Sequence, residues 1–197
     1  MPKGIPLTQD ELEQRQHEIA QTAVTLFIEN GFNETSMRQI AKTLGMGKST
    51  LYDYFSSKDE IIVFVIQEHM TALRQRAEAI LTQEGDAANH LHRIMQMHLA
   101  FLLEKRAFYL RLMFEAQRLK ADSQQRIQDH RYAYQDLIKS LIEAGIQQGC
   151  FRPVDSTMAM KTLLSMMTPV VYTSRPSGTP QEMLEAVLDL VLNGLQP

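Results

Sequence analysis

Gly47-Lys48-Ser49 is the second half of a phosphate-cradling loop, a stretch in which backbone amides wrap phosphates and a lysine neutralises them. That chemistry needs a glycine five residues before Gly47, where the chain has Lys42, and a buried strand running into the loop. Upstream, Met37, Ile40, Ala41 and Leu44 fall at helical spacing instead, and the apolar run Ile61 to Ile66 begins too soon after Lys48 to be a second strand joined by a crossover. A nucleotide site is therefore not expected. Catalysis has no better foothold: no nucleophile and base, and no metal cluster, stand at useful spacing, so an enzyme is not expected. His90 and His92 are two apart, on different faces of any helix, and no carboxylate or thiolate sits one helical turn from both, so a metal site at His90, His92 or His98 is not expected. No metal and no cofactor are predicted. Cys150 is the single cysteine, which excludes an intrachain disulfide and reads as a buried or inert thiol.

What remains chemically distinctive is charge. The protein carries a net −3, yet residues 36 to 58 hold Arg38, Lys42, Lys48 and Lys58 against Asp53 alone, so that segment is +3 and the rest −6. A cluster of this size suits either a solvated face or a phosphate-binding patch, and its place on the fold decides between them. With 197 residues, 44% of them hydrophobic, the chain is long enough for one or two globular domains. The Met1-Pro-Lys-Gly-Ile-Pro6 start lacks a signal-peptide core and the longest uncharged stretch, Thr162 to Ser174, is too short to span a bilayer, so a cytoplasmic protein with no membrane partner is expected.

The elements that position these residues are helices throughout. Thr8-Gln-Asp-Glu11 is a capping box, followed by Ile19, Ala20, Ala23, Val24 and Phe27 on one face and a stop at Asn30-Gly31. Thr35 or Ser36 can cap a second helix ending at Leu44-Gly45, and Lys48 to Phe55 accommodates a third with Leu51 and Phe55 inward. Ser57-Lys-Asp-Glu60 is another capping box, opening an apolar-periodic run to about Gln83, a helix of about 40 Å suited to linking two domains mechanically. Residues 86–104, 105–119, 122–148 and 155–172 read as further helices, and Thr179-Pro-Gln-Glu182 opens a last one with the stripe Leu184, Val187, Leu188, Val191 and Leu195. The expectation is an all-α protein of about nine helices, with a three-helix domain over 1–56 and a larger helical domain over 57–197.

Ala41, Gly45 and Leu51 stand at helix-turn-helix spacing: a small residue where two helices cross, a glycine for the left-handed turn, and an anchor to the core. The second helix of the pair then shows Lys48, Ser49, Thr50, Asp53 and Tyr54 near its start, where a recognition helix meets base edges and phosphates. With Ile19-Ala-Gln-Thr-Ala23, Leu26-Phe27, Gly31-Phe32, Thr35, Ile40-Ala41, Gly45-Met46, Thr50-Leu-Tyr52, Tyr54-Phe55 and Lys58, residues 12 to 62 resemble the TetR family of bacterial transcriptional regulators. The rest of the chain resembles the family in helix count and layout.

The resemblance implies a homodimer, double-stranded operator DNA and a small-molecule effector. Position by position it implies backbone and groove contacts from Ser36, Met37 and Arg38, base contacts from Lys48, Ser49 and Thr50, and phosphate contacts from Tyr52 and Lys58, with Thr35, Gly47 and Tyr54 completing the DNA-facing set. The Tyr52 ring could instead simply pack. Asp53 departs in charge sense: it would repel phosphate, and would serve only to accept from a cytosine amino group or to hold Lys48.

In the family's fold the last two helices pair across a two-fold axis, which implies an interface of Met158, Leu164, Met167, Val171, Leu184, Val187, Leu188, Val191 and Leu195, residues that would equally fill an intrachain core. Among the middle helices His98, Phe101, Phe108, Tyr109, Met113, Phe114, Tyr132 and Tyr134 gather as a candidate effector pocket, and the twelve methionines favour a hydrophobic or aromatic effector over a polar one. An aromatic stripe at helical spacing is also what plain core looks like. The expected function is a ligand-responsive repressor that binds a palindromic operator as a dimer and is released by its effector. The alternative is a helical adaptor of the same fold acting through protein contacts alone.

Overall fold

The structure, a computed structural model, describes residues 8–195, without the side chains of residues 112–114 and 195. Among the described residues the regular structure is helical: α1 (Gln9–Asn30), α2 (Met37–Thr43), α3 (Lys48–Tyr54), α4 (Lys58–Leu81), α5 (Ala87–Glu104), α6 (Arg106–Ala116), α7 (Ala121–Gln147), α8 (Ser156–Ser165), α9 (Met167–Tyr172) and α10 (Pro180–Leu195). The run expected as one helix over 155–172 is two, because Pro169 lacks an amide proton and its ring crowds the Ser165 carbonyl, so the chain restarts at Met166.

The chain divides into two compact units. The first contains the chain through Glu68 together with Ala107–Ile127; the second contains His69–Arg106 and the chain from Gln128 onward. In the first, Thr8 caps α1 with the full capping box to Glu11, and α1 buries Ile19, Ala20, Ala23 and Phe27. α2 packs on both α1 and α3. Ser36, rather than Thr35, is its N-cap, with Gln39 closing the box. Met37, Ile40 and Ala41 are buried, as are Leu51 of α3 and Phe55 beyond it. Truncating Leu51, which is fully buried, would cost about 2–5 kcal/mol.

In the second unit α10 packs on α5 and α9, and α9 also meets α5 and α8. One polar tie fixes α10: Glu185 accepts from Gln96 at 2.9 Å and Gln181 at 2.9 Å and meets His92 Nε2 at 2.8 Å. These hydrogen bonds, from Gln96 first and then His92, hold the Glu185 carboxyl below its ordinary range. No helix among the described residues is long and apolar enough to cross a membrane.

Candidate nucleic-acid interface and effector-binding core

The turn between α2 and α3 is a Schellman closure. The Gly45 amide donates to the Lys42 carbonyl at 3.1 Å and the Met46 amide to the Ala41 carbonyl at 3.0 Å, with Gly45 at φ +66°. That left-handed residue turns the chain sharply, and Gly47 then caps α3 without a side chain. Because Leu51 is turned wholly inward, Lys48, Ser49 and Thr50 are left exposed at the start of α3, with Lys48 Nζ 5.5 Å from the Tyr52 ring centroid. Tyr52 is 44% exposed and Asp53 is exposed beside it, while Tyr54 is half-buried.

On α2 the expected DNA-facing row divides. Ser36 and Arg38 are exposed, but Thr35 and Met37 face the core, at 1% and 8% exposure. Thr35 spends its hydroxyl on the carbonyls of Gly31 (2.7 Å) and Leu26 (3.2 Å), closing the α1–α2 corner. Lys58 is likewise engaged: Nζ donates to the Phe32 carbonyl at 2.5 Å, reaches that of Asn33 at 3.5 Å and lies 4.4 Å from the Phe32 ring centroid. Burial lowers its pKa, against the fields of Asp59, Glu34 and Glu115. The sequence shows Lys58 as a cation near a helix start; that carbonyls of the preceding loop would meet it has no sequence signature.

The eight residues expected around an effector do not share one unit. Phe108 and Tyr109 belong to the first, with their rings edge to face at 5.2 Å; His98, Phe101, Tyr132 and Tyr134 belong to the second. Tyr132 is 51% exposed and points outward, whereas Phe101 and Tyr134 are buried. Met113 and Phe114 fall among the side chains that are not described. Within the second unit His98 Nδ1 lies 3.2 Å from the Tyr134 hydroxyl, ring edge to ring face at 5.4 Å. Part of the His98 residue still meets open space, yet its ring is enclosed deeply enough that burial pushes its pKa down to about 4. Burial also raises the Tyr134 phenol, so both groups are neutral at physiological pH.

His69, beside the Phe101 ring at 5.6 Å, is pushed down to about 4 for the same reason, with Lys105 adding to the effect. One polar group escaped the sequence reading: the Tyr172 hydroxyl is buried without a hydrogen-bond partner, its pKa raised by burial. A tyrosine in an uncharged stretch gives no warning of this. The same unit also carries an open cleft of about 270 Å³ lined by Met70, Thr71, Arg74, Asp129, His130 and Ala133. Among the described residues no three or more His, Cys, Asp or Glu side chains are arranged to hold a metal ion.

Of the residues expected to pair two copies, Met167, Val171, Leu184 and Leu188 are buried within the single chain. Leu164, Val187 and Val191 are half-buried, Met158 is 56% exposed, and Leu195 lies outside the described side chains. Leu190, which the stripe omitted, is 69% exposed on the outer face of α10.

Residues 19–63 match the family model for bacterial regulatory proteins of the tetR family, and residues 84–195 match that for the tetracyclin repressor-like C-terminal domain. An HTH-type transcriptional regulator of Staphylococcus aureus is 32% identical over 138 residues, which span 68% of this chain and 72% of that protein. The structure of PfmR, a TetR family transcriptional regulator from Thermus thermophilus, superposes with a TM-score of 0.75 at 29% identity, covering 91% of this chain and 99% of that one. The transcriptional regulator FadR from Bacillus subtilis, in complex with stearoyl-CoA, shares the fold with a TM-score of 0.79 at 22% identity, covering 91% and 99%.

Proposed function

Because the chain belongs to the TetR family of bacterial transcriptional regulators, we propose that it is a repressor that grips a palindromic operator as a homodimer and releases it when a hydrophobic effector binds. The observation that carries this reading is the exposed row Lys48, Ser49 and Thr50 on a helix whose Leu51 is wholly buried. Such a helix is fixed to the core on one side and offers short polar donors and a cation on the other, which is what a major groove accepts. Arg38, Ser36 and Tyr52 supply backbone contacts around it. Residues 1–56 form the DNA-binding part and 57–197 the part for ligand and dimer.

The exposed Met158 and Leu190, with half-buried Leu164, Val187 and Val191 near them in sequence, support pairing of α8 and α10 with a second copy. Two copies then place their recognition helices about 34 Å apart, one turn of DNA. On the effector side, the neutral His98–Tyr134 pair and the unpartnered Tyr172 hydroxyl are polar points in apolar surroundings. They suit a molecule with a long apolar body and a carbonyl or similar polar group, since burial alone shifts His98 and Tyr134 and only Tyr172 feels a charge, that of Arg106. The stearoyl-CoA held by the FadR structure makes long-chain acyl-CoA the first class to test.

The test is selection from random duplexes with the purified dimer, followed by affinity of the selected duplex across a salt series. A palindromic consensus with a steep salt slope is expected. Absence of enrichment at low salt would overturn the reading and point to protein partners instead.

A further inference from the structure

Ala107–Ile127 belongs to the same compact unit as the helix-turn-helix, and one ion pair joins it to the root of α4. Arg126, in the second turn of α7, places Nη1 at 2.9 Å and 3.1 Å from the two carboxylate oxygens of Glu60. Glu60 stands in the first turn of α4. In the sequence it looks like the closing residue of a capping box with Ser57. The structure keeps half of that box, the Glu60 amide donating to Ser57 Oγ at 3.2 Å, and turns the carboxylate to Arg126.

Lys58, two residues earlier, holds the Phe32 and Asn33 carbonyls of the α1–α2 corner. The first turn of α4 is thus held from two sides, by the reading head through Lys58 and by α7 through Glu60. The two ends of the ion pair are 66 positions apart, so local helix geometry does not impose it. α7 then runs unbroken to Gln147 and carries Tyr134, the partner of His98, about two turns beyond Arg126.

We propose that the Arg126–Glu60 ion pair is a positioning strut for operator binding: it fixes the first turn of α4, and through Lys58 the α1–α2 corner, to the start of α7. The proposal rests on the DNA-binding reading above. An exposed ion pair contributes little to global stability. What the strut sets is the order of the α4 root beneath the reading head, and its loss is read in affinity and local order rather than in the melting temperature.

The experiment uses the full-length protein with Arg126→Gln, Glu60→Gln and the exchanged pair Arg126→Glu/Glu60→Arg. Each is measured for affinity to the duplex selected by the wild type and for amide hydrogen exchange over residues 58–64. Each single variant is expected to bind roughly five-fold more weakly, with faster exchange at the root of α4 and an unchanged far-UV spectrum, and the exchanged pair to restore both readings to within about two-fold. Glu60→Gln is the sharpest variant. Removing a negative charge near DNA would tighten binding if Glu60 acted only through its field, whereas loss of a strut weakens it. Single variants with wild-type exchange, tighter binding by Glu60→Gln, or an exchanged pair as loose as the singles would overturn the proposal. If the wild type selects no duplex, the operator reading falls by itself, and with it the strut's role in DNA binding; the exchange data then report only whether the tie orders α4.

Discussion

His17 and Glu68 join α1 to α4 through a contact of 2.5 Å between Nε2 and the carboxylate, while the other ring nitrogen of His17 lies 2.8 Å from the Glu13 carbonyl oxygen. Both partners are acceptors, an arrangement that favours the imidazolium, which donates from both nitrogens, over either neutral tautomer. The Glu13 carbonyl is the larger cause of a raised pKa and Glu68 adds to it against the cost of burial. The folded value lies above the ordinary 6.5, so this contribution is fully present below pH 6.5 and is lost as the pH rises through the folded value. His17→Gln should therefore cost more stability at about pH 6 than at about pH 9. Urea melts of the two proteins at both pH values check this; an equal difference at both would mean that the ring is not charged in the fold.

His98 works in the opposite sense. Its folded pKa is depressed to about 4, so it stays neutral while an unfolded chain takes up a proton below about 6.5. The protein should lose stability as the pH falls from 6.5 toward 4, and His98→Gln should flatten that acid limb. In addition, His98→Phe and Tyr134→Phe should each weaken binding of stearoyl-CoA while leaving operator affinity in its absence near wild type. The acid limb is read by thermal melts, the ligand effect by titration calorimetry. Unchanged ligand affinity in both variants would mean the pair serves the core alone.

Gly145 lies inside α7, where replacing glycine by alanine ordinarily stabilises a helix by about 1 kcal/mol. Here a Cβ would stand 2.3 Å and 2.5 Å from the Phe151 ring and 3.0 Å from the Ala87 methyl of α5. Phe151 is buried and has little room to retreat. Gly145→Ala should reverse the usual sign and destabilise by about 1–3 kcal/mol, as overpacking does. A denaturation midpoint at or above that of the wild type would show that the Phe151 ring swings aside freely.

Helix identity was legible wherever local chemistry decides it. The box at Thr8 and the glycine turn at Gly45 are short-range patterns and each forms as read, and Ser36 is one of the two caps expected for α2. What needs distant partners was not legible. Thr35 looks like an exposed cap until the α1–α2 corner supplies carbonyls to its hydroxyl. Glu60 looks like half of a capping box until Arg126 arrives from α7. The stripe of α10 mixes the core-facing Leu184 and Leu188 with the half-buried Val187 and Val191, while the exposed Leu190 lies outside it, and helical spacing alone does not say which neighbour covers which face.

Lys48 and Lys58 are both cations in the basic segment, yet their surroundings differ, and the difference is measurable. Lys48 is exposed and lies beside the Tyr52 ring, free to reach a base edge, so Lys48→Ala should leave the melting temperature unchanged and cost about 1–3 kcal/mol on the selected operator but less on random DNA. Lys58 is held by the Phe32 and Asn33 carbonyls. Removing its ammonium leaves those carbonyls without a donor and loosens the α1–α2 corner, so Lys58→Ala should lower the melting temperature and weaken all duplexes alike. Lys58→Ala with a wild-type melting temperature and a salt slope reduced by about one would instead assign its charge to a phosphate. Equal losses from Lys48→Ala on specific and random duplexes would remove Lys48 from base recognition. Together the two variants separate a cation proposed to read bases from one that holds the α1–α2 corner.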